Sequence, residues 1–254
     1  METIYYELKT RSSLIVSPRA SLAFYRELGQ FDTPKGDPNF LKNQESLGVI
    51  YPFYQYGLYE AYHPDTAQYY LPGSSIKGAL CQGTAGAGNL MADDIPVPKE
   101  FITLRSIYKA QYLDDASKHP TFGAFFDHVA VEMIKAGSPL KGSFNHDNSE
   151  AVRALLKSAN RATRRKIGQM RAYLNTLIKK GVSNETLREV LNEAANGLTD
   201  LEKNKNVLLL GGYKGLLHSI EVKGFPLETA GAVYLDPETN LPHGLAEIEL
   251  KEQP

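Results

Sequence analysis

The stretch Tyr70 to Leu80 reads YLPGSSIKGAL: an aromatic run, a Pro72-Gly73 turn, two hydroxyls at Ser74 and Ser75, and a cation at Lys77 ahead of apolar residues. Pro-Gly permits a tight turn, a serine suits a helix N-cap, and Ile76, Ala79 and Leu80 supply a buried helix face. A capped strand-to-helix turn accounts for most of these letters. It does not account for Lys77, which this reading puts in the first turn, where the helix dipole disfavours a cation by roughly a few tenths of a kcal/mol. A phosphate would reverse that preference. Backbone N–H groups, serine hydroxyls and a lysine converging on a helix start make an anion site. The string lacks the Gly-Lys-Ser/Thr of a Walker A loop, so no nucleotide hydrolase is inferred.

A second cluster, LGGYKGLL from Leu210 to Leu217, offers related chemistry. Gly211, Gly212 and Gly215 allow close approach of backbone to a ligand, while Tyr213 and Lys214 add a stacking face and a charge. A bulge or tight turn would use the same letters. The charge itself is concentrated between Ala151 and Lys180, where nine basic residues occur with no Asp or Glu. Arg153, Lys157, Arg161 and Arg165 recur every four residues and line one helix face, with Arg164 beside them, a spacing suited to a row of phosphates. Solvated helix faces normally interleave signs, and this one does not. Tyr51, Phe53, Tyr54, Tyr56, Tyr59, Tyr62, Tyr69 and Tyr70 offer rings that can stack on unpaired bases, although strands favour aromatics for packing in any case.

The elements that must position these residues follow from periodicity. Ile4, Tyr6 and Leu8 alternate with polar residues, which predicts an N-terminal strand rather than a signal peptide. Residues 29–46 carry no period and read as a loop; 47–70 read as a hairpin of aromatic strands turning at His63-Pro64-Asp65. FITLRSIYKAQY (101–112) reads as one strand, whereas 121–137 mix strand and helix signals. From Ser149, Val152, Leu156, Ala159, Thr163, Ile167, Met170, Leu174 and Leu177 form one apolar stripe of a helix that Gly181 closes. Ser183 is expected to cap a second helix to about Asn196, and 231–250 to close the chain as a hairpin around Asp236 to Asn240. The order predicts an α+β fold with a helical insertion: a core over 1–148, a basic helical insertion over 149–203, and closing strands with the glycine-rich loop over 204–254.

With 254 residues, 42% hydrophobic, the chain can bury a substantial core, and its net charge of -1 leaves polyanion binding to local clusters. One cysteine, Cys81, excludes an intrachain disulfide and any multi-thiolate metal site, which fits a reducing cytoplasm. No apolar run is long enough to span a bilayer. The carboxylate pairs Asp93-Asp94 and Asp114-Asp115 read as turns rather than metal sites, and neither cofactor nor metal is predicted.

YLPGSSIKGAL resembles the strand-to-helix motif of the RAMP superfamily, the repeat-associated subunits of CRISPR effector complexes, and LGGYKGLL resembles a degenerate form of its glycine-rich loop. FITLRSIYKAQY stands where these proteins have a strand after the first motif. LPHGLAEIEL is similar to the carboxyl end of the type III-A (Csm) subunit that caps the backbone near the 3′ end of the guide RNA. Cys81 stands where the motif often continues with arginine, and the loop has fewer glycines than usual. The resemblance implies an RRM-like (ferredoxin-like) antiparallel core elaborated by insertions, guide RNA and other type III subunits as partners, no membrane, and no catalysis of its own. Gly73, Ser74, Ser75 and Lys77, then Gly211, Gly212 and Gly215, carry over as RNA-binding residues, and Arg105 on the intervening strand joins them as a candidate. Two other readings stand beside it. A metal-independent RNA-processing endoribonuclease of the same superfamily would use histidine as base or acid, with His218 the best-placed candidate. A protein interaction module would dock an acidic partner on the basic helix.

Overall fold

The alternation at Ile4, Tyr6, Leu8 and Thr10 does build the first strand, with these four side chains buried and Tyr5, Glu7 and Lys9 facing out. The computed structural model describes residues 1–16, 22–34, 36–41, 44–81, 89–112, 119–182, 184–211 and 232–251. Strands β1 (Glu2–Thr10), β2 (Phe24–Tyr25), β3 (Val49–Tyr51) and β4 (Tyr69–Leu71) lead to helix α1 (Gly73–Leu80). Next come β5 (Met91–Ala92), β6 (Ile95–Val97), β7 (Ile102–Arg105), β8 (Tyr108–Tyr112), β9 (Pro120–Ala124), β10 (Val129–Ile134) and β11 (Pro139–His146). Helices α2 (Ser149–Lys179) and α3 (Glu185–Lys203) precede β12 (Val207–Leu209), β13 (Ala232–Leu235) and β14 (Leu245–Leu250).

The central sheet runs in the order β12-β14-β1-β11-β5, and its pairs are antiparallel. Setting β12 aside, the chain visits it as β1, α1, β5, β11, α2, β14, the βαββαβ path of a ferredoxin-like core. Both helices bury their apolar stripes on it: Ile76 and Leu80 of α1 and Val152 and Ala159 of α2 share one core with Tyr6, Leu8, Phe144 and Ile248. Further strands are inserted between these landmarks as sheets β2-β3-β10-β7, β13-β8-β9 and β4-β6. The fold is thus α+β, a ferredoxin-like core with a helical addition, α3.

Helix α2 begins where Asn148 Oδ1 accepts from the N–H groups of Glu150 (2.9 Å) and Ala151 (3.2 Å). Its stripe is buried from Val152 to Leu177, with Leu156 half-buried. The amino-terminal part of the stripe lies on the central core, and Ile167, Met170, Leu174 and Leu177 pack instead with Leu191, Ala194 and Leu198 of α3. Between the two regions α2 passes the free edge of β12: Asn160 Nδ2 donates to the Val207 carbonyl (3.1 Å), and the Leu209 N–H donates to Thr163 Oγ1 (3.2 Å). Polar residues inside an apolar stripe here satisfy an edge strand that would otherwise invite foreign pairing.

Several local expectations change in the folded chain. Strands β3 and β4 are not partners: β3 pairs with β2 and β10, β4 with β6, and only an isolated bridge at Gln55 and Tyr69 marks the expected hairpin. Pro52 lacks the donor a continuing ladder needs. Residues 101–112 divide at Ser106 and Ile107 into β7 and β8, which join different sheets. Strands β13 and β14 likewise go to β8 and to β1 and β12, joined only by a bridge between Leu235 and Pro242. Residues 121–137 resolve as strands β9 and β10. Helix α3 is capped by the side chain of Asn184, which accepts from Leu187 N–H at 3.3 Å, and runs to Lys203; Ser183 lies outside the described residues.

Candidate nucleic-acid interface

Gly73 opens α1 because nothing larger fits: a Cβ there would lie 2.0 Å from the Ala92 carbonyl oxygen. The Gly73 N–H donates to Asp94 Oδ1 at 2.8 Å, so the first orphan donor of the helix already faces a carboxylate. The expected serine cap is absent. Pro72 is the N-cap residue, no side chain caps the helix, and Ser74 is exposed while Ser75 is half-buried. Lys77 is the fifth helical residue and not part of the first turn, which removes the dipole argument made for it. Its side chain is half-buried and makes no ion pair with a described residue. The helix mouth is already served by Asp94, and Lys77 stands in the last turn of α1 rather than at that mouth.

Gly211 adopts φ +76, and a Cβ there would lie 2.1 Å from the Ile15 carbonyl oxygen. Its neighbour Leu210 is buried in the same core as Ile76 and Leu80. Gly212, Tyr213, Lys214, Gly215 and His218 lie outside the described residues.

The basic helix keeps its outer row. Arg153, Lys157, Arg161 and Arg165 are exposed. Arg164 and Arg171 turn toward α3: Arg164 Nε donates to the Glu202 carbonyl, and Arg171 pairs with the Glu202 carboxylate at 2.8 Å. The acidic residues missing from 151–180 come from the antiparallel α3, which neutralises part of the charge that this stretch presents in isolation. Charge survives where α2 leaves α3. There Arg153 and Lys157 meet Lys205 and Asn206, from the turn before β12, around a groove of about 320 Å³ floored by Leu156, Leu208 and Ile248. Glu249 also lines it, but its carboxylate is held at 2.7 Å by Lys251. Arg153 has a long, solvated pairing with Glu150 at 3.6 Å. Three cations over an apolar floor suit successive phosphates of one strand with a sugar laid against the leucines.

Lys205 and Asn206 escaped the sequence reading. The run Lys203-Asn204-Lys205-Asn206 is their visible signal, but only the approach of α2 to β12 makes them part of a site.

Arg105 has a different position. It is 3% exposed, pairs with Asp37 (3.3 Å), Asp236 (3.5 Å) and Glu238 (2.7 Å), and lies 4.5 Å over the Phe40 ring. These partners come from the loop at 37–41 and the turn at 236–240, so the guanidinium clamps two connections and faces no open surface. Beside it His243 is buried, with Nδ1 2.8 Å from Ser13 Oγ, and burial lowers its pKa.

A ferredoxin-like sheet with one long basic helix along its edge can be compared with known structures. The fold resembles that of one chain in a solved RNA-bound complex. In the cryo-EM structure of a Csm–crRNA–target RNA ternary complex of a type III-A CRISPR-Cas system, one chain superposes with a TM-score of 0.55 at 13% identity. The match covers 97% of this chain and all of that one, 100%. At that identity the likeness is of fold. No protein-family model matches the sequence, and no curated protein matches it. Among the described residues no helix is long and apolar enough to cross a membrane, and no group of three or more His, Cys, Asp or Glu could hold a metal ion.

Proposed function

We propose that this chain is a non-catalytic RNA-binding structural subunit of a type III CRISPR ribonucleoprotein in antiviral defence. Its nearest role is that of the type III-A subunit capping the backbone, contacting guide RNA near its 3′ end. The full-length likeness to a chain of a Csm–crRNA–target RNA complex supports the assembly. The observation that carries RNA contact is the groove in which Arg153, Lys157 and Lys205 converge, with Arg161 one turn further along the same exposed helix face. Phosphates held by three such cations are read without regard to sequence, as a structural subunit requires. Ser74, Ser75 and Lys77 at α1 remain candidate hydroxyl and charge contacts to the same RNA, while the Gly73 N–H is already held by Asp94.

Purification without nuclease treatment, followed by sequencing of the co-purifying nucleic acid, tests this directly. Guide-length RNA should travel with the protein and remain intact. Its release should follow log K against log salt with a slope of about −2 for three phosphates on a single strand. RNA cut to discrete products that His218→Ala abolishes would replace this reading with an endoribonuclease. RNA absent at low salt, with an acidic protein retained instead and lost on Arg161→Glu plus Arg165→Glu, would make the helix a protein docking element.

A further inference from the structure

Four and three residues before Gly73, strand β4 holds two tyrosines on opposite faces. Tyr69 points inward, where its hydroxyl donates to Glu132 Oε1 at 2.6 Å. That bond fixes the rotation of the strand, so Tyr70 must point outward. The backbone then gathers two more rings around it. Tyr70 N–H donates to the Tyr54 carbonyl at 3.0 Å, and Tyr56 N–H donates to the Gln68 carbonyl at 2.9 Å. Tyr56 stacks on Tyr70 with centroids 4.3 Å apart and planes 22° from parallel, and Tyr54 leans on Tyr70 at 5.6 Å. The column ends in solvent: Tyr56 is 51% exposed.

We infer that the Tyr54, Tyr70 and Tyr56 column is a stacking platform for unpaired bases of single-stranded RNA, a binding site separate from the basic groove. The inference rests on the RNA-binding reading above. Core packing explains Tyr54, which leans on the central core, but not an exposed ring stacked flat on its neighbour. The rings are prepositioned by main-chain hydrogen bonds, so adding a base costs little ordering of the platform. Charge selects the part of the ligand. Burial raises the Tyr70 pKa and the nearby Asp94 adds to it, while the Asp94 carboxylate is committed to the Gly73 N–H. A phosphate would be repelled there, whereas the uncharged face of a base would not. The groove on α2 takes backbone and the tyrosine column takes bases, which gives binding that tolerates any sequence.

The test uses the full chain and single-stranded RNA carrying 2-aminopurine, whose fluorescence is quenched on stacking. Tyr56→Leu and Tyr70→Leu keep apolar area but remove the ring; each should relieve quenching and weaken binding about tenfold, the effect of roughly 1.4 kcal/mol per stacked base, with the salt slope unchanged. Tyr70→Phe should restore both. Tyr56 is exposed, so its variant reports even if Tyr70→Leu does not fold. If wild type retains RNA in a salt-dependent way while folded Tyr56→Leu binds and quenches as wild type does, the platform is refuted and RNA binding stands. If wild type itself retains no RNA at low salt, the RNA reading falls and the platform with it.

Discussion

Replacing Glu132 by glutamine should remove a pH dependence of stability centred between pH 4.5 and 7. Glu132 sits on β10 at 1% exposure, with Oε1 accepting from Tyr69 and Oε2 from the Phe53 N–H at 3.0 Å; the Tyr62 hydroxyl is a further donor. Burial pushes its pKa from 4.5 up to about 7, even though these donors act in the opposite direction. The folded state therefore holds a proton that the unfolded chain releases. Stability from this group is complete below about pH 4.5, declines as pH rises, and is lost once pH passes about 7. A difference of about 2.5 pKa units at 1.36 kcal/mol each makes the total about 3 kcal/mol. Glutamine cannot titrate, and it leaves one donor facing an amide NH₂, at a cost of about 1–3 kcal/mol that does not vary with pH. Urea unfolding followed by far-UV circular dichroism, at half-unit steps from pH 4.5 to 8.5, gives both curves. Other titrating groups are common to both proteins and cancel in the difference. Wild type should lose stability relative to Glu132→Gln by about 3 kcal/mol across the window. Parallel curves would refute the reasoning, because the proton would then reside elsewhere. The consequence reaches the surface: Glu132 anchors Tyr69, and through it the outward Tyr70 and the strand entering Gly73.

Other perturbations separate binding from folding. Lys157→Glu with Lys205→Glu should leave the melting temperature near wild type and reduce the salt slope of RNA binding by about 1.4, or about 0.7 per lost phosphate contact, in fluorescence anisotropy titrations. Gly73→Ala drives a Cβ into the Ala92 carbonyl and should destabilise the protein by about 1–3 kcal/mol in urea denaturation, whatever its effect on RNA. Arg105→Ala leaves the fully buried Asp236 without its cation and should cost about 3 kcal/mol or more. Its salt slope for RNA should match wild type; a slope reduced by about 0.7 would instead make Arg105 a phosphate ligand.

Local pattern and tertiary context divide this protein cleanly. The first strand and the two-helix block are legible because their signals are internal to each element: alternation at Ile4, Tyr6 and Leu8, and a three-to-four-residue stripe from Val152 to Leu177. The exposed row Arg153, Lys157, Arg161 and Arg165 follows from the same period, since whatever lies opposite a buried stripe faces water. Period says nothing of which strand pairs with which, and so 47–71 and 232–250 look like hairpins although their strands belong to different sheets.

By itself, the sequence determined the α+β class, the basic helix face and the glycine-bearing strand-to-helix turn, all properties of short-range spacing. Only the tertiary structure decided what those charges meet. It brought Lys205 to Arg153 and Lys157, set Glu202 against Arg171, placed Asp94 at the mouth of α1 and enclosed Arg105 among three carboxylates. A charge has its effect through whatever lies within a few ångströms of it, and those neighbours are distant in the chain.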